Sequence, residues 1–405
     1  MRDKTLRLIN EEECVDLLRR WVNIPTENPP GNEKPLAEDI CARLQGWGFN
    51  AELFEVLPNR PDAIAVLKGS EGKPRLIFNG HTDVVPAGSL SQWKISEPYK
   101  ALVKNGRLYG RGSADQKSGL VAMTMATKAV KDAGVKLKGD VILTYAIGEE
   151  MGEPGTRALF TKKGLKADYG IVTEPTLTKE GLRVATAESG LVWFHIFVKG
   201  KSTHASTPWA GINAISKAMK VVQALEQYHQ NIQNRTHPLI APPRCVVTNI
   251  EAGIKENVIP DLCKITVDRR IIPTESTEQV IKEVTQTLEE LKRDDPDFQY
   301  EVKYGPAYYP TEGTGVYDAA EISQKSRIFE IISSNQKEVT GYSAKPWGTP
   351  YSSDMRNLVH QGKVEAVTFG PGMVENVHQP DEYVAVDDLI KSTKIMALTI
   401  LDLLA

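Results

Sequence analysis

Five stretches of this chain place a histidine or a carboxylate where an apolar run ends. LIFNGHTDVVPAG carries His81 and Asp83, LYGRGSADQKSG carries Asp115, and YAIGEEMGEPG carries Glu149 and Glu150. YGIVTEPT carries Glu174, and GPGMVENVHQPDEYV carries His378. Residues two apart on an extended chain point to the same side. Asp83 is therefore expected to accept the imidazole N–H of His81 and leave the other ring nitrogen for a metal. Glu149 and Glu150 are adjacent carboxylates behind an apolar strand; they repel each other and lose solvation, a cost that a cation relieves. The Gly-rich loop at Asp115 is not a P-loop, which needs glycine where Gln116 stands. Nor is it a dinucleotide fingerprint, which needs a small residue at Asp115. Its carboxylate repels phosphate and suits a metal. Taken alone, each stretch also reads as a capped turn or a solvated loop. Together they share one position, the C-terminal end of a strand, where ligands gather in open α/β sheets. One Asp, two Glu and two His offer nitrogen and oxygen ligands for two zinc ions or similar first-row metals.

The elements that must position these residues fall into two textures. Asn10 followed by Glu13 reads as a capping box, with a helix behind it through Leu17, Leu18 and Trp21. IPTENPPGNEKP breaks the pattern, and a second helix runs from about Leu36 to Leu44. AELFEV, DAIAVLKG and PRLIFNGH are strands, a long apolar helix spans Gly119 to Val130, and VILTYAIG and YGIVTE are short runs typical of buried parallel strands. From Ala187 the order becomes β-α-β-β-α-β, that of a ferredoxin-like unit. SRIFEIISSNQKEV, VEAVTFGPG and a closing amphipathic helix then resume the first texture. The simplest organisation is an α/β domain over residues 1–186 and 310–405, with a mainly parallel mixed sheet and helices on both faces. It is interrupted by an inserted α+β domain over 187–309.

Bulk properties exclude several classes. The 405 residues carry 49 basic and 52 acidic side chains, a net charge of -3, which gives no electrostatic reason to expect nucleic acid or an anionic membrane as partner. No run approaches the roughly 18 apolar residues of a membrane span, and MRDKTLRLINEEE shows no secretory signal. Cys14, Cys41, Cys245 and Cys263 form no C-x-x-C pair, and the chain is expected to be a cytoplasmic protein with reduced thiols.

The ordered motifs GHTDVVPAG, GRGSADQKSG, GEEMGEPG, TEPT, THASTPWAGINAI and GPG…HQPDEY make the chain resemble the di-zinc metallopeptidase and amidohydrolase family. That family includes acetylornithine deacetylase, succinyl-diaminopimelate desuccinylase, aminoacylase and glutamate carboxypeptidase. The resemblance implies that His81 and Glu174 bind one zinc, Glu150 and His378 the second, and Asp115 both. It leaves Glu149 as general base to a water bridging the metals and Asp83 to orient His81. Cobalt or manganese are alternatives to zinc. It further implies that the inserted domain mediates a homodimer or acts as a lid. In that arrangement His204 reaches a partner's active site, and Arg270 and Asn257 hold the substrate. A guanidinium fork suits a free carboxylate, so N-acyl amino acids are the expected substrates. Dipeptides, C-terminal peptide bonds and N-carbamoyl amino acids are the alternatives. Glu174, rather than Asp, resembles the deacetylase and desuccinylase branch. Ser118 departs from the glycine many relatives carry.

WGTPYSSDMRNL is expected to line the substrate side. His195, in WFHIFV, is expected to be a packed histidine, and His229, His237 and His360 surface residues. A non-catalytic binding protein on the same fold is disfavoured by the intact ligand set. A glycosidase is disfavoured because Glu149 and Glu150 are adjacent and cannot flank a bond from opposite sides.

Overall fold

The computed structural model describes residues 1–305 and 315–405. The expected boundary at 309/310 lies outside the described residues. The chain divides into two compact units. One comprises Met1–Thr186, Glu321–Trp347 and Ser353–Ala405; the other comprises Ala187–Ala320 and Gly348–Ser352. The second unit thus draws in a short segment from far along the chain as well as the contiguous insertion.

The first unit is built on a mixed sheet. Six of its strands lie side by side in the order Asn50–Leu57, Arg60–Leu67, Val141–Ala146, Leu76–His81, Tyr169–Val172, Glu365–Thr368, and strand Val184–Glu188 follows antiparallel to Glu365–Thr368. Of these six, the outer hairpin is antiparallel, and the last four strands are mutually parallel. Alternation along these strands feeds two cores. Leu76, Phe78, Leu143, Ile171 and Val367 pack into the cluster that holds helices Glu11–Val22, Lys117–Asp132 and Val386–Leu404. Ile77, Ile142, Val172 and Ala366 join Leu159, Met355 and Leu358 on the opposite face. Burying each such large apolar side chain contributes about 1.5–3 kcal/mol. Both faces being covered explains why these strands read as continuous apolar runs.

Parallel strands end at one edge. His81 pairs with Ala146 and Asn79 with Val172, so the loops carrying His81, Glu149, Glu150 and Glu174 leave the sheet side by side. The Asn10 carboxamide accepts Glu13 N–H at 2.9 Å, the N-cap half of the capping box.

The second unit holds strand Gly190–Lys199, helix Ala214–Ile232, strands Arg244–Ala252 and Leu262–Ile271, helix Thr277–Asp294 and strand Gln299–Tyr304. In space the strands run Arg244–Ala252, Leu262–Ile271, Gly190–Lys199, Gln299–Tyr304, all antiparallel, which is the ferredoxin-like arrangement. Asn213 and Ser276 cap the two helices with their side chains. No helix among the described residues is long and apolar enough to cross a membrane.

Candidate metal centre

Asp115 is the hub of the edge. Its Oδ1 lies 3.0 Å from His81 Nε2 and its Oδ2 lies 3.2 Å from His378 Nε2. Around it, His81 Nε2 is 3.5 Å from Glu174 and 4.0 Å from Glu149, and His378 Nε2 is 3.1 Å from Glu150. The ligand atoms of His81, Asp115 and Glu150 all lie within 4.8 Å of one another, and so do those of His81, Glu149 and Glu174. Distance alone therefore does not set Glu149 apart from the other carboxylates.

Local sequence explains the convergence. Gly148 sits at φ 74, and an added Cβ would meet Pro154 Cδ at 2.8 Å. Only glycine turns the chain here without strain. The turn aims the N–H groups of Glu149 and Glu150 at Asp83, whose oxygens accept them at 3.1 and 3.2 Å. Asn28, from the proline-broken segment, donates to Asp83 at 2.8 Å. Gly119 lets the helix behind Asp115 close on the strand before Glu174, since a Cβ there would stand 2.0 Å from Thr173 O. Gln116 completes that junction by donating to Glu174 and accepting from the Thr173 hydroxyl at 2.9 Å.

Asp83 was expected to receive the His81 N–H on its carboxylate. The nearer acceptor is the Asp83 backbone carbonyl, 2.8 Å from Nδ1, with carboxylate Oδ1 at 3.4 Å. The carboxylate also accepts the N–H groups of the Glu149–Glu150 turn, and despite its burial the pairing with His81 holds it below the usual carboxylate range. The outcome for His81 is the same. Nδ1 is the natural donor, which leaves Nε2 facing the carboxylates.

The electrostatics call for positive charge. Burial raises the carboxyls of Glu149 and Glu174 well above the usual carboxylate range, and negative neighbours add to the effect. Burial also raises Glu150. Asp115 goes the other way; burial opposes its charge, but hydrogen bonds to His378 and His81 outweigh it. His378 is pushed up to about 11 by its bonds to Asp115 and Glu150. Four carboxylates converging on two imidazoles form a nitrogen and oxygen donor set that fits divalent first-row cations. His81 is buried, whereas the His378 side chain is 48% exposed, so the site opens on the His378 side.

The remaining expected residues belong to the second unit. His204 is exposed, with Nδ1 2.6 Å from the Ser206 hydroxyl. It bridges to Val258, and Ala205 N–H donates to Asn257 O at 3.0 Å, so His204 and Asn257 are brought together. Arg270 is half-buried, and its fork is taken by Asp268 at 2.9 and 3.0 Å.

Sequence reading missed a second layer. Glu153 and Arg356 form a buried ion pair at 2.6 Å, joined by Asn357. Burial lifts Glu153 to about 7. Arg356 was expected on the substrate side, but its guanidinium is turned to Glu153. Only the acidic run EEMGE hinted at such a partner. Lys117, suggestive of a phosphate loop, is buried and donates to Ile24 O at 2.8 Å, and burial lowers it to about 7. His195 is packed as expected, between Thr266 and Gly305 O. His360 is exposed. His229 and His237 are half-buried instead, accepting the N–H groups of Cys245 and Leu239.

The model of the family described as Peptidase family M20/M25/M40 matches residues 77–402. The N-formyl-4-amino-5-aminomethyl-2-methylpyrimidine deformylase of Halalkalibacterium halodurans is 30% identical over 402 residues, covering 96% of this chain and 93% of that protein. The acetylornithine deacetylase of Myxococcus xanthus is 29% identical over 371 residues, covering 90% of each. Among solved structures, an M20 family metallo-carboxypeptidase from Sulfolobus solfataricus superposes with a TM-score of 0.80 at 21% identity, covering 96% of this chain and 98% of that one.

Proposed function

The chain belongs to peptidase family M20/M25/M40, and from that premise we propose that it hydrolyses the amide bond of an N-acyl amino acid with two zinc ions. The observation that carries the reading is Asp115, whose two oxygens face two different histidines at 3.0 and 3.2 Å. His81 and Glu174 would complete one position, and Glu150 and His378 the other. Cations held there would supply Lewis acidity to the scissile carbonyl and acidify water. Glu149 takes a proton from the attacking water and returns it to the leaving nitrogen. Glu149 is given this role on the family resemblance, while the adjacent Glu150 faces His378 at 3.1 Å. Asp83 holds the turn that aims both. His204, reaching over from a second subunit, donates to the developing oxyanion. Arg270 takes the substrate carboxylate in exchange for Asp268, and Asn257 lines the site. The four cysteines are buried and unpaired, which suits the reducing cytoplasm.

A second reading is release of formate from an N-formyl amine. It is favoured by the 30% identity to the deformylase across 96% of the chain. A panel of N-formyl, N-acetyl, N-succinyl and N-carbamoyl amino acids, with dipeptides and an N-formyl aromatic amine, separates the two. Chelator-sensitive release of amine from an acyl amino acid is the expected result. Turnover confined to dipeptides, or to the formyl amine without a carboxylate, would replace this reading.

The proposed homodimer uses the second unit. Strand Arg244–Ala252 is a sheet edge, and it exposes Val246 and Ile250 at 46% and 48%. Helix Ala214–Ile232 exposes Ile215 and Met219. An apolar edge of this kind is a template for pairing with another chain. Ile250→Lys is expected to convert a dimer to a monomer in sedimentation, and to remove most activity because His204 then has no partner site. A fully active monomer would exclude action between subunits.

A further inference from the structure

We infer that Glu382 is the positioning residue that sets Asp115 against His378, an inference that rests on the metal-site reading above. Glu382 is buried at 1% exposure. Its Oε1 accepts the backbone N–H groups of Ala114 at 2.9 Å and Asp115 at 3.0 Å. Its Oε2 accepts Gly112 N–H at 3.1 Å and Arg111 Nη1 at 2.6 Å. The Glu382 carbonyl accepts Gly110 N–H at 2.9 Å. The whole turn that presents Asp115 is thus gathered on one residue of the His378 loop.

Arg111 extends the tie. It also donates to Gln379 O, one residue beyond His378, at 3.3 Å and to Pro86 O, in the loop after His81, at 3.5 Å. Its guanidinium lies 5.4 Å from the Trp93 ring centroid. One carboxylate–guanidinium pair therefore links the loops of His81, Asp115 and His378. The His378 loop needs such a tether. His378 and Asp381 have φ of 62 and 56, a conformation that L side chains seldom adopt unless held from outside. A carboxylate suits position 382 because four donors converge on its two oxygens. Glutamine would turn an NH2 group against a backbone N–H or the guanidinium.

The test is a titration of the metal-free protein with Co2+, following binding by dialysis and the visible d–d spectrum, in wild type, Glu382→Gln and Arg111→Lys. Glu382→Gln is expected to keep the far-UV circular dichroism of the wild type. It should bind Co2+ about 10–100-fold more weakly, the usual cost of losing a residue that orients ligands, with the larger loss in the second equivalent and an altered spectrum. Arg111→Lys should shift both in the same direction by less, and it carries the test if Glu382→Gln does not fold. Unchanged affinities and spectra would overturn the inference. Failure of the wild type itself to take up cobalt would overturn the metal-site reading and this inference with it.

Discussion

Glu149→Gln is expected to lower turnover by about 10²–10⁴, the range for loss of a positioned general base, while metal content and KM stay close to wild type. The side chain keeps its shape, and its backbone N–H still bonds to Asp83 at 3.1 Å, so the turn that carries it survives. What disappears is the proton acceptor. Glu149 lies 4.0 Å from His81, close enough to reach a water held in the site and too involved with its neighbours to be a surface charge. Steady-state kinetics with parallel metal analysis check this. Unchanged turnover would assign the proton transfer elsewhere. A loss of metal equal to the loss of activity would make Glu149 a ligand.

Asp115→Ala is expected to have the widest effect of any single substitution, because one side chain serves both positions. Metal analysis should fall from two equivalents to fewer than one, and activity to background. The metal-free fold should persist. In the metal-free protein the bonds from His378 and His81 hold Asp115 below the usual carboxylate range, so its charge stabilises the native state and its removal leaves both imidazoles without that partner. Differential scanning calorimetry of the metal-free proteins should therefore give Asp115→Ala a melting temperature below the wild type. The wild type alone should gain stability on adding metal, as binding to the native state requires.

His81, Glu149, Glu150 and Glu174 were legible in the sequence because they follow apolar runs that end in register. His81 with Ala146, and Asn79 with Val172, are the physical content of that pattern. Asp115, by contrast, sits in the turn before helix Lys117–Asp132, past a strand of a separate small sheet, and His378 lies in a loop well beyond strand Glu365–Thr368. The ferredoxin-like unit was legible for a similar reason: Asn213 and Ser276 begin helices between strands of period two. What was not legible came from pairings between distant loops. Nothing local in the sequence announces that the Asp83 carboxylate also accepts the N–H groups of residues 149 and 150, or that Arg356 turns to Glu153. Gly348–Ser352 joining the second unit is likewise a tertiary fact without a local signal. Adjacent arginines show where periodicity does help. Along the strand Leu262–Ile271, Arg269 points inward to Glu275 and Tyr228, fully buried, while Arg270 points to the other face. Alternation alone separates the fully buried guanidinium of Arg269 from the half-buried one of Arg270, which pairs with Asp268.

Side chains spread from His81 to His378 are proposed to hold a pair of cations through one shared carboxylate. Anomalous diffraction from crystals of the metal-loaded protein at two absorption edges tests this. Two peaks about 3.5–4 Å apart are expected, one beside His81 and Glu174 and one beside Glu150 and His378, with Asp115 between them. A single peak, or two peaks that do not share Asp115, in a protein of full activity would contradict it.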